Sequence, residues 1–135
     1  MMGTYMEDCI FCKIVQGEIP SYKVYEDESY LAFMDVFPRV KGHVLVIPKE
    51  HYRWVYDVPD FAGYWQTAKK IGMKIQQAVG SDYISFITMG EAVPHAHIHI
   101  LPQHHGEIHG IKFTPVVEMT KEEIGTLAKE IADNY

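Results

Sequence analysis

The chain has 135 residues, of which 47% are hydrophobic and 22% charged, and this balance predicts one globular domain over residues 1–135. We expect its core in about residues 9–103, followed by an irregular segment and a helix over 104–135. A formal net charge of −6 argues against a nucleic-acid partner, because surfaces that bind nucleic acids cluster Lys and Arg. Neither a membrane-spanning run nor a signal peptide is evident, so we expect a cytoplasmic protein that binds a small ligand, without a membrane partner.

Three short apolar segments in the first part of the chain predict strands. They cover residues 22–26, 30–34 and 43–47, and turn-forming residues, among them Gly42 and Pro48, bound them. Consecutive strands joined by short turns usually pair with each other. The segments therefore predict an antiparallel meander.

A helix follows between Asp60 and Val79, where apolar residues recur at spacings of three and four. Asp57 and Asp60 have the spacing of a capping box at its start. Gly80 can take the left-handed conformation that ends a helix. This segment is expected to be the one long helix of the domain.

Two further strands are predicted over residues 83–89 and 95–101. Near the end of the chain, Thr120 and Glu123 form a capping box that opens a last helix. Strands grouped around one long helix, rather than alternating with helices, predict an α+β fold with a mainly antiparallel, five-stranded sheet.

Three histidines alternate with apolar residues in the strand predicted over 95–101. Side chains alternate faces in a strand, so His95, His97 and His99 are expected to form a row opposite the core-facing residues. A neutral imidazole can attack phosphorus at pH 7 while a protonated neighbour binds phosphate oxygens. A merely polar strand face, or a plain metal site using two of the histidines, is the alternative.

The segment His95-Ala-His-Ile-His-Ile-Leu101 resembles the signature of the histidine triad family. Three other segments resemble that family in the same order: Cys9-Ile-Phe-Cys-Lys-Ile-Val-Gln-Gly-Glu-Ile-Pro-Ser21, Leu31-Ala-Phe-Met-Asp-Val36 and Gly42-His-Val-Leu-Val-Ile-Pro-Lys-Glu-His51. The resemblance implies the family's α+β fold. It also implies a nucleotide hydrolase or transferase acting at the α-phosphorus of purine nucleoside phosphoramidates or dinucleoside polyphosphates.

The same resemblance implies roles for individual residues. His97 would be the nucleophile that forms a nucleotidyl-histidine intermediate, His99 would bind the α-phosphate, and His43 would help to orient the nucleophile. Asp35 would accept hydrogen bonds from the ribose hydroxyls, although an aspartate before Pro38 can equally begin a turn. The chemistry itself would require no metal.

Apolar residues in the resembling segments are expected to enclose the purine base, although any of them can instead be part of the core. They are Phe11, Ile14, Ile19, Val24 and Phe33.

Cys9 and Cys12 have the spacing of half a tetrahedral zinc site. A free thiol pair and a redox pair are the alternatives. The resemblance implies a structural zinc site completed by His51 and His95. His95 would then differ in function from His97 and His99.

The loop before the triad, Met89-Gly-Glu-Ala-Val-Pro94, departs from the family pattern. It is short, and Glu91 stands where a glutamine is common in the family. An anion beside a phosphate site predicts slow turnover of the usual phosphoramidates, or a leaving group with positive charge.

Two further expectations concern activity and assembly. The alternative to an enzyme is a nucleotide-binding or scaffolding member of the family with little turnover. The resemblance also implies a homodimer in which the long helix and a sheet edge pair about a two-fold axis.

Overall fold

The computed structural model describes residues 5–134, and five strands in it form one sheet. The strands are β1 Lys23–Glu26, β2 Tyr30–Met34, β3 Val44–Pro48, β4 Tyr83–Ile87 and β5 Ile98–Gln103. Their order is β1-β2-β3-β5-β4, and every neighbouring pair is antiparallel. The predicted α+β class with an antiparallel five-stranded sheet is thus confirmed.

Within residues 5–134, three α-helices accompany the sheet: α1 Ile10–Val15, α2 Phe61–Val79 and α3 Lys121–Asp133. No helix within residues 5–134 has the length and apolar character needed to cross a membrane.

Both faces of the sheet are covered, each by a different helix. One apolar cluster lies between the sheet and α2 and includes Val46 and Ile98. The second lies between the sheet and α1 and includes Phe33 and Leu45. Because successive strand residues point to opposite faces, neighbouring side chains of β3 and β5 reach different layers of the protein.

The long helix begins and ends where the sequence predicts, but only one of the two aspartates caps it. The Asp60 carboxylate accepts a hydrogen bond from the amide of Gly63, and Gly80 ends α2 with a φ of 69°. Asp57 instead belongs to a short 3₁₀ helix, Val55–Asp57, where its carboxylate accepts from the Trp54 amide at 3.1 Å. The predicted capping box at α2 is therefore wrong, because Asp57 binds the turn before it.

The strand that carries the triad starts later than predicted. The sequence pattern predicts 95–101, whereas β5 covers Ile98–Gln103. The Thr88 hydroxyl donates a hydrogen bond to the carbonyl of His97 at 2.8 Å, so a side chain replaces regular sheet pairing at that point. The other predicted strands agree with the observed bounds within one or two residues.

The C-terminal helix α3 begins with the capping box that the sequence predicts. The Thr120 hydroxyl accepts from the Glu123 amide at 3.1 Å, and the Glu123 carboxylate accepts from the Thr120 amide at 2.8 Å. None of the residues of α3 is buried against residues 5–134.

Candidate active site and metal centre

The three histidines of the triad lie on the side of the sheet that α1 covers. His99 pairs with Leu45 of β3, whose side chain belongs to the α1 cluster, while Ile98 and Ile100 pack in the α2 cluster. His95 and His97 are buried and His99 is half-buried. The alternation in the sequence thus places the imidazoles together, under the N-terminal helix.

The ring of His97 is held in one tautomer. Its Nδ1 lies 2.8 Å from the carbonyl oxygen of His95, an acceptor, so Nδ1 carries the proton and donates it. The lone pair of the neutral ring is then on Nε2. His97 therefore has the electronic form that a nitrogen nucleophile needs.

His43 and His99 form a chain of hydrogen bonds beside this ring. The backbone amide of Arg39 donates to His43 Nδ1 at 3.1 Å, so the proton of His43 lies on Nε2. His43 Nε2 donates to His99 Nδ1 at 2.9 Å, which leaves the proton of His99 on Nε2. The ring centroids of His97 and His99 are 5.0 Å apart, so the ring that carries this N–H donor lies next to the ring of His97.

Asp35 lies at the end of this chain. One carboxylate oxygen accepts from the amide of Phe37 at 2.8 Å, which is the turn expected before Pro38. The other oxygen is 3.6 Å from His43 Nε2. The Asp35 carboxylate thus caps the turn with one oxygen and lies near the His43 ring with the other.

Burial lowers the pKa of His97 and of His43, and burial together with the neighbouring His97 and His43 lowers the pKa of His99 to about 4. These shifts favour the neutral form of all three rings at pH 7, in contrast to the protonated neighbour expected from the sequence. His99 offers a neutral N–H instead, because burial disfavours the charged ring.

Apolar side chains line the same side of the sheet. The ring of Phe11 meets His97 edge-on with centroids 5.2 Å apart, and it meets Phe33 at 5.8 Å. Ile14 belongs to this cluster and Ile19 packs against it. These four residues lie in the layer that holds the histidines.

Val24, expected in the same group, lies elsewhere. It lines a cavity of about 480 Å³ together with Val44 and with Ile71 and Ile75 of α2. Val24 thus faces the opposite side of the sheet from His97, at an irregularity of the β1–β2 register between Lys23 and Tyr25 that interrupts the usual alternation of faces.

Glu91 is exposed, and it makes no hydrogen bond or ion pair with any residue in the range 5–134. The neighbouring Gly90 has a φ of 72°, a conformation that favours glycine. The structure therefore places the Glu91 carboxylate in solvent at the loop before the triad.

Cys9, Cys12, His51 and His95 form a compact cluster at the start of α1, and their ligating atoms all lie within 4.8 Å of one another. His95 Nδ1 is 3.3 Å from the sulfur of Cys9 and 3.6 Å from that of Cys12. His51 Nδ1 is 3.3 Å from the Cys12 sulfur. A tetrahedral zinc ion keeps its sulfur and nitrogen ligands roughly 3.6 Å apart, so the cluster can hold a metal ion.

A hydrogen bond from the His95 ring leaves its other nitrogen available as a metal ligand. His95 Nε2 donates to the carbonyl of Pro48 at 2.9 Å, which leaves the lone pair of Nδ1 facing the two sulfurs. Burial raises the pKa of the Cys12 thiol to about 11. A metal ion reverses that effect, since it binds the thiolate and expels the proton.

Sequence reasoning missed two residues near the triad, Thr88 and Arg53. Thr88 binds the carbonyl of His97, and no sequence signal marks it. Arg53 lies next to Trp54, within a cluster of aromatic residues that suggests packing rather than ligand binding. Both are brought to the site by contacts between distant parts of the chain.

Comparisons with known proteins identify the relatives of this chain. Residues 16–106 match the model of the HIT domain. A HIT-like protein of Methanocaldococcus jannaschii is 39% identical over 123 residues, which cover 86% of this chain and 95% of that protein. A solved structure of a HIT family member from Bacillus subtilis has a TM-score of 0.82 at 36% identity, covering 96% of this chain and 98% of that one.

Among the relatives are proteins whose names state an activity. The adenosine 5′-monophosphoramidase of Saccharomyces cerevisiae is 33% identical, over 91% of this chain and 80% of the enzyme. The adenylylsulfatase of Arabidopsis thaliana is 37% identical over 75% of this chain, which matches 55% of that longer protein. On the domain match and these relatives, the chain belongs to the histidine triad (HIT) family.

Proposed function

We propose that this protein is a nucleotide hydrolase or transferase that acts at the α-phosphorus of purine nucleoside phosphoramidates or dinucleoside polyphosphates. One observation carries the proposal: the unprotonated Nε2 of His97 lies beside the N–H donor of His99. The relatives named monophosphoramidase and adenylylsulfatase support a nucleotide hydrolase at the level of the family.

The reaction would proceed in two displacements. His97 Nε2 attacks the α-phosphorus, a phosphorus–nitrogen bond forms, and the bond from phosphorus to the leaving group breaks. A leaving amine takes up a proton from solvent, whereas a leaving phosphate departs as the anion. Water then attacks the same phosphorus, releases His97 and loses a proton to solvent.

His99 and His43 would support both displacements. The Nε2–H of His99 donates to a phosphate oxygen, while the bond from His43 keeps the proton on that nitrogen. A donor fixed in a partly buried site stabilises the developing charge without reorganising first. Asp35 would bind the ribose through the oxygen that is free of the turn, and Phe11, Ile14, Ile19 and Phe33 would contact the purine.

We further propose that the four-residue cluster binds a structural zinc ion through Cys9, Cys12, His51 and His95. Two thiolates and two imidazoles are a common ligand set for structural zinc. The ion would tie α1 to the segment that precedes His97. It would stabilise the fold and contribute no chemical step.

We also propose a homodimer, because an apolar side of α3 has no cover within residues 5–134. Ile124, Leu127 and Ile131 lie along one side of the helix and are 53%, 46% and 64% exposed. A helix of this length is marginal in water without packing. Sedimentation equilibrium should give twice the chain mass, and Leu127→Asp should shift the protein toward monomer; a monomeric wild type would overturn this proposal.

Trapping of the covalent intermediate tests the proposed activity. Protein is mixed with adenosine 5′-phosphoramidate, quenched in acid-free denaturant and digested, and the peptides are analysed by mass spectrometry. We expect an adenylyl adduct on His97 and release of AMP over time. His97→Ala should form neither, while His104→Ala, which alters an exposed histidine of the loop after β5, should behave as wild type.

Binding of AMP without adduct or turnover would favour the nucleotide-binding or scaffolding alternative. Equal turnover by wild type and His97→Ala would overturn the assignment of the nucleophile.

A further inference from the structure

Arg53 is a partly buried cation beside the triad segment, with no part in the steps above. The carbonyl of the preceding residue, Tyr52, accepts a hydrogen bond from the amide of Ala96 at 2.6 Å. This bond fixes Arg53 next to the segment that carries His97. Burial is the main cause that lowers the pKa of His97, and the charge of Arg53 lowers it further.

Two neighbours hold the guanidinium in place. Its carbon lies 3.8 Å from the centroid of the Trp54 ring, and its Nη1 donates to the carbonyl of Gly90. A side chain at Gly90 would not fit, because its Cβ would lie 2.9 Å from Trp54 Cε3. Trp54 and Gly90 therefore clamp Arg53 at the loop that leads into the triad.

This cation is left without an anion. A guanidinium has five N–H donors, and the carbonyl of Gly90 is the one oxygen that it binds in residues 5–134. No carboxylate within that range lies within 4.0 Å of it. The free edge of the fork suits a tetrahedral oxyanion, which arginine binds through two parallel hydrogen bonds.

We propose that Arg53 binds the leaving group when that group is an oxyanion, such as sulfate or phosphate, and that it makes the enzyme prefer nucleotides with an anionic leaving group over those that release an amine. This inference rests on the proposed function of His97. It reverses the expectation drawn from Glu91, whose carboxylate lies in solvent and binds nothing in the described residues. Arg53, rather than Glu91, would determine which leaving group the enzyme prefers.

Two substrates that share AMP and differ in the leaving group test this proposal. They are adenosine 5′-phosphosulfate, which releases sulfate, and adenosine 5′-phosphoramidate, which releases an amine. Arg53→Gln removes the charge but keeps an amide donor for the Gly90 carbonyl. We expect it to lower kcat/KM for the phosphosulfate about 10- to 100-fold and for the phosphoramidate less than about threefold.

Two further variants serve as controls. Arg53→Lys keeps the charge without the fork and should recover part of the lost activity toward the phosphosulfate. Glu91→Gln should leave the ratio of the two kcat/KM values within about threefold of wild type. Thermal melting tests whether each variant is folded. If Arg53→Gln does not fold, the ratio of the two kcat/KM values for Arg53→Lys tests the proposal instead.

The outcomes separate this inference from the proposed function. If an adduct forms on His97 but Arg53→Gln slows both substrates equally, Arg53 has a structural role or binds the shared nucleotide, and the inference is overturned alone. A shift in the ratio caused by Glu91→Gln instead would also overturn it. If neither substrate gives turnover or an adduct, the proposed function fails and takes the inference with it.

Discussion

Two clusters flank the triad segment, and they look alike until their protons are assigned. Cys9, Cys12, His51 and His95 form one, Asp35, His43 and His99 form the other, and in each the ligating atoms lie within 4.8 Å of one another. In the first, the Nε2–H of His95 donates a hydrogen bond to the Pro48 carbonyl, and the Nδ1 lone pair faces the sulfurs. In the second, the Arg39 amide occupies the lone pair of His43 Nδ1, so the nitrogen that faces His99 carries a proton.

A protonated nitrogen cannot bind a metal ion, so the two clusters suit different tasks. The first cluster can hold a metal ion. In the second, the hydrogen bonds from Arg39 to His43 and from His43 to His99 leave the proton of His99 on Nε2. The comparison teaches that proximity of histidines and acids does not define a metal site. The hydrogen-bond partner of one nitrogen of a histidine ring determines whether the other nitrogen carries a proton or a lone pair that can bind a metal ion.

The largest effect should come from removing the donor of the second cluster. His43→Ala is expected to lower kcat/KM about 10²- to 10³-fold, because His99 loses the bond that keeps its proton on Nε2. His43→Gln, whose amide can replace the Nε2 donor, should recover part of this loss. Wild-type rates with adenosine 5′-phosphoramidate for His43→Ala would contradict the proposed proton chain.

The first cluster should affect stability and metal content more than turnover. Cys12→Ser is expected to lose bound zinc and to unfold at a temperature roughly 5–10 °C lower, since a structural metal stabilises only the folded state. A chelator should lower the melting temperature of wild type but not of Cys12→Ser. Metal analysis provides the stoichiometry.

The matched control for that experiment is His99→Ala, which alters the second cluster. It should keep the metal content of wild type, because the proton on Nε2 of the neutral His43 ring leaves no metal site in the second cluster. Zinc retained by Cys12→Ser and lost by His99→Ala would reverse the assignment of the two clusters.

The smallest effect concerns pH. An ordinary histidine, with a pKa of about 6.5, is half protonated at pH 6.5, whereas burial first, and the charge of Arg53 to a smaller extent, lower the pKa of His97. The attacking form is neutral, so activity should persist below the usual range and fall only as the pH drops through the lowered pKa. An unshifted pKa of about 6.5 would reduce the neutral fraction about 1.8-fold between pH 7.5 and 6.5, so we expect kcat/KM to change less than that, with the midpoint of its fall below pH 6.5. A midpoint at pH 6.5 or above would contradict the lowered pKa.

Much of the fold follows from local patterns in the sequence. The spacing of apolar residues and the caps at Asp60 and Gly80 place α2 correctly, because both signals depend on neighbours along the chain. The start of β5 does not follow from such a pattern, because the Thr88 hydroxyl binds the His97 carbonyl. Helix α1 was missed because it has six residues and begins at a cysteine, whose sulfur accepts from the Cys12 amide.

The candidate site divides in the same way. The triad, His43 and the cysteine pair are visible as motifs, and the structure brings all of these residues except His97 into two clusters. The tautomers are not visible, because they depend on backbone groups such as the amide of Arg39 and the carbonyl of Pro48. Arg53 was missed for a related reason, since a fold contact with Ala96 rather than a motif places it.

The main-chain carbonyl of His95 accepts the hydrogen bond that fixes the tautomer of His97, while the side chain of His95 belongs to the cluster with Cys9, Cys12 and His51. Every residue type has a carbonyl, so a substitution of His95 would leave the acceptor for the Nδ1–H of His97 in place. A change of the His95 side chain should therefore alter the Cys/His cluster without changing the tautomer of His97.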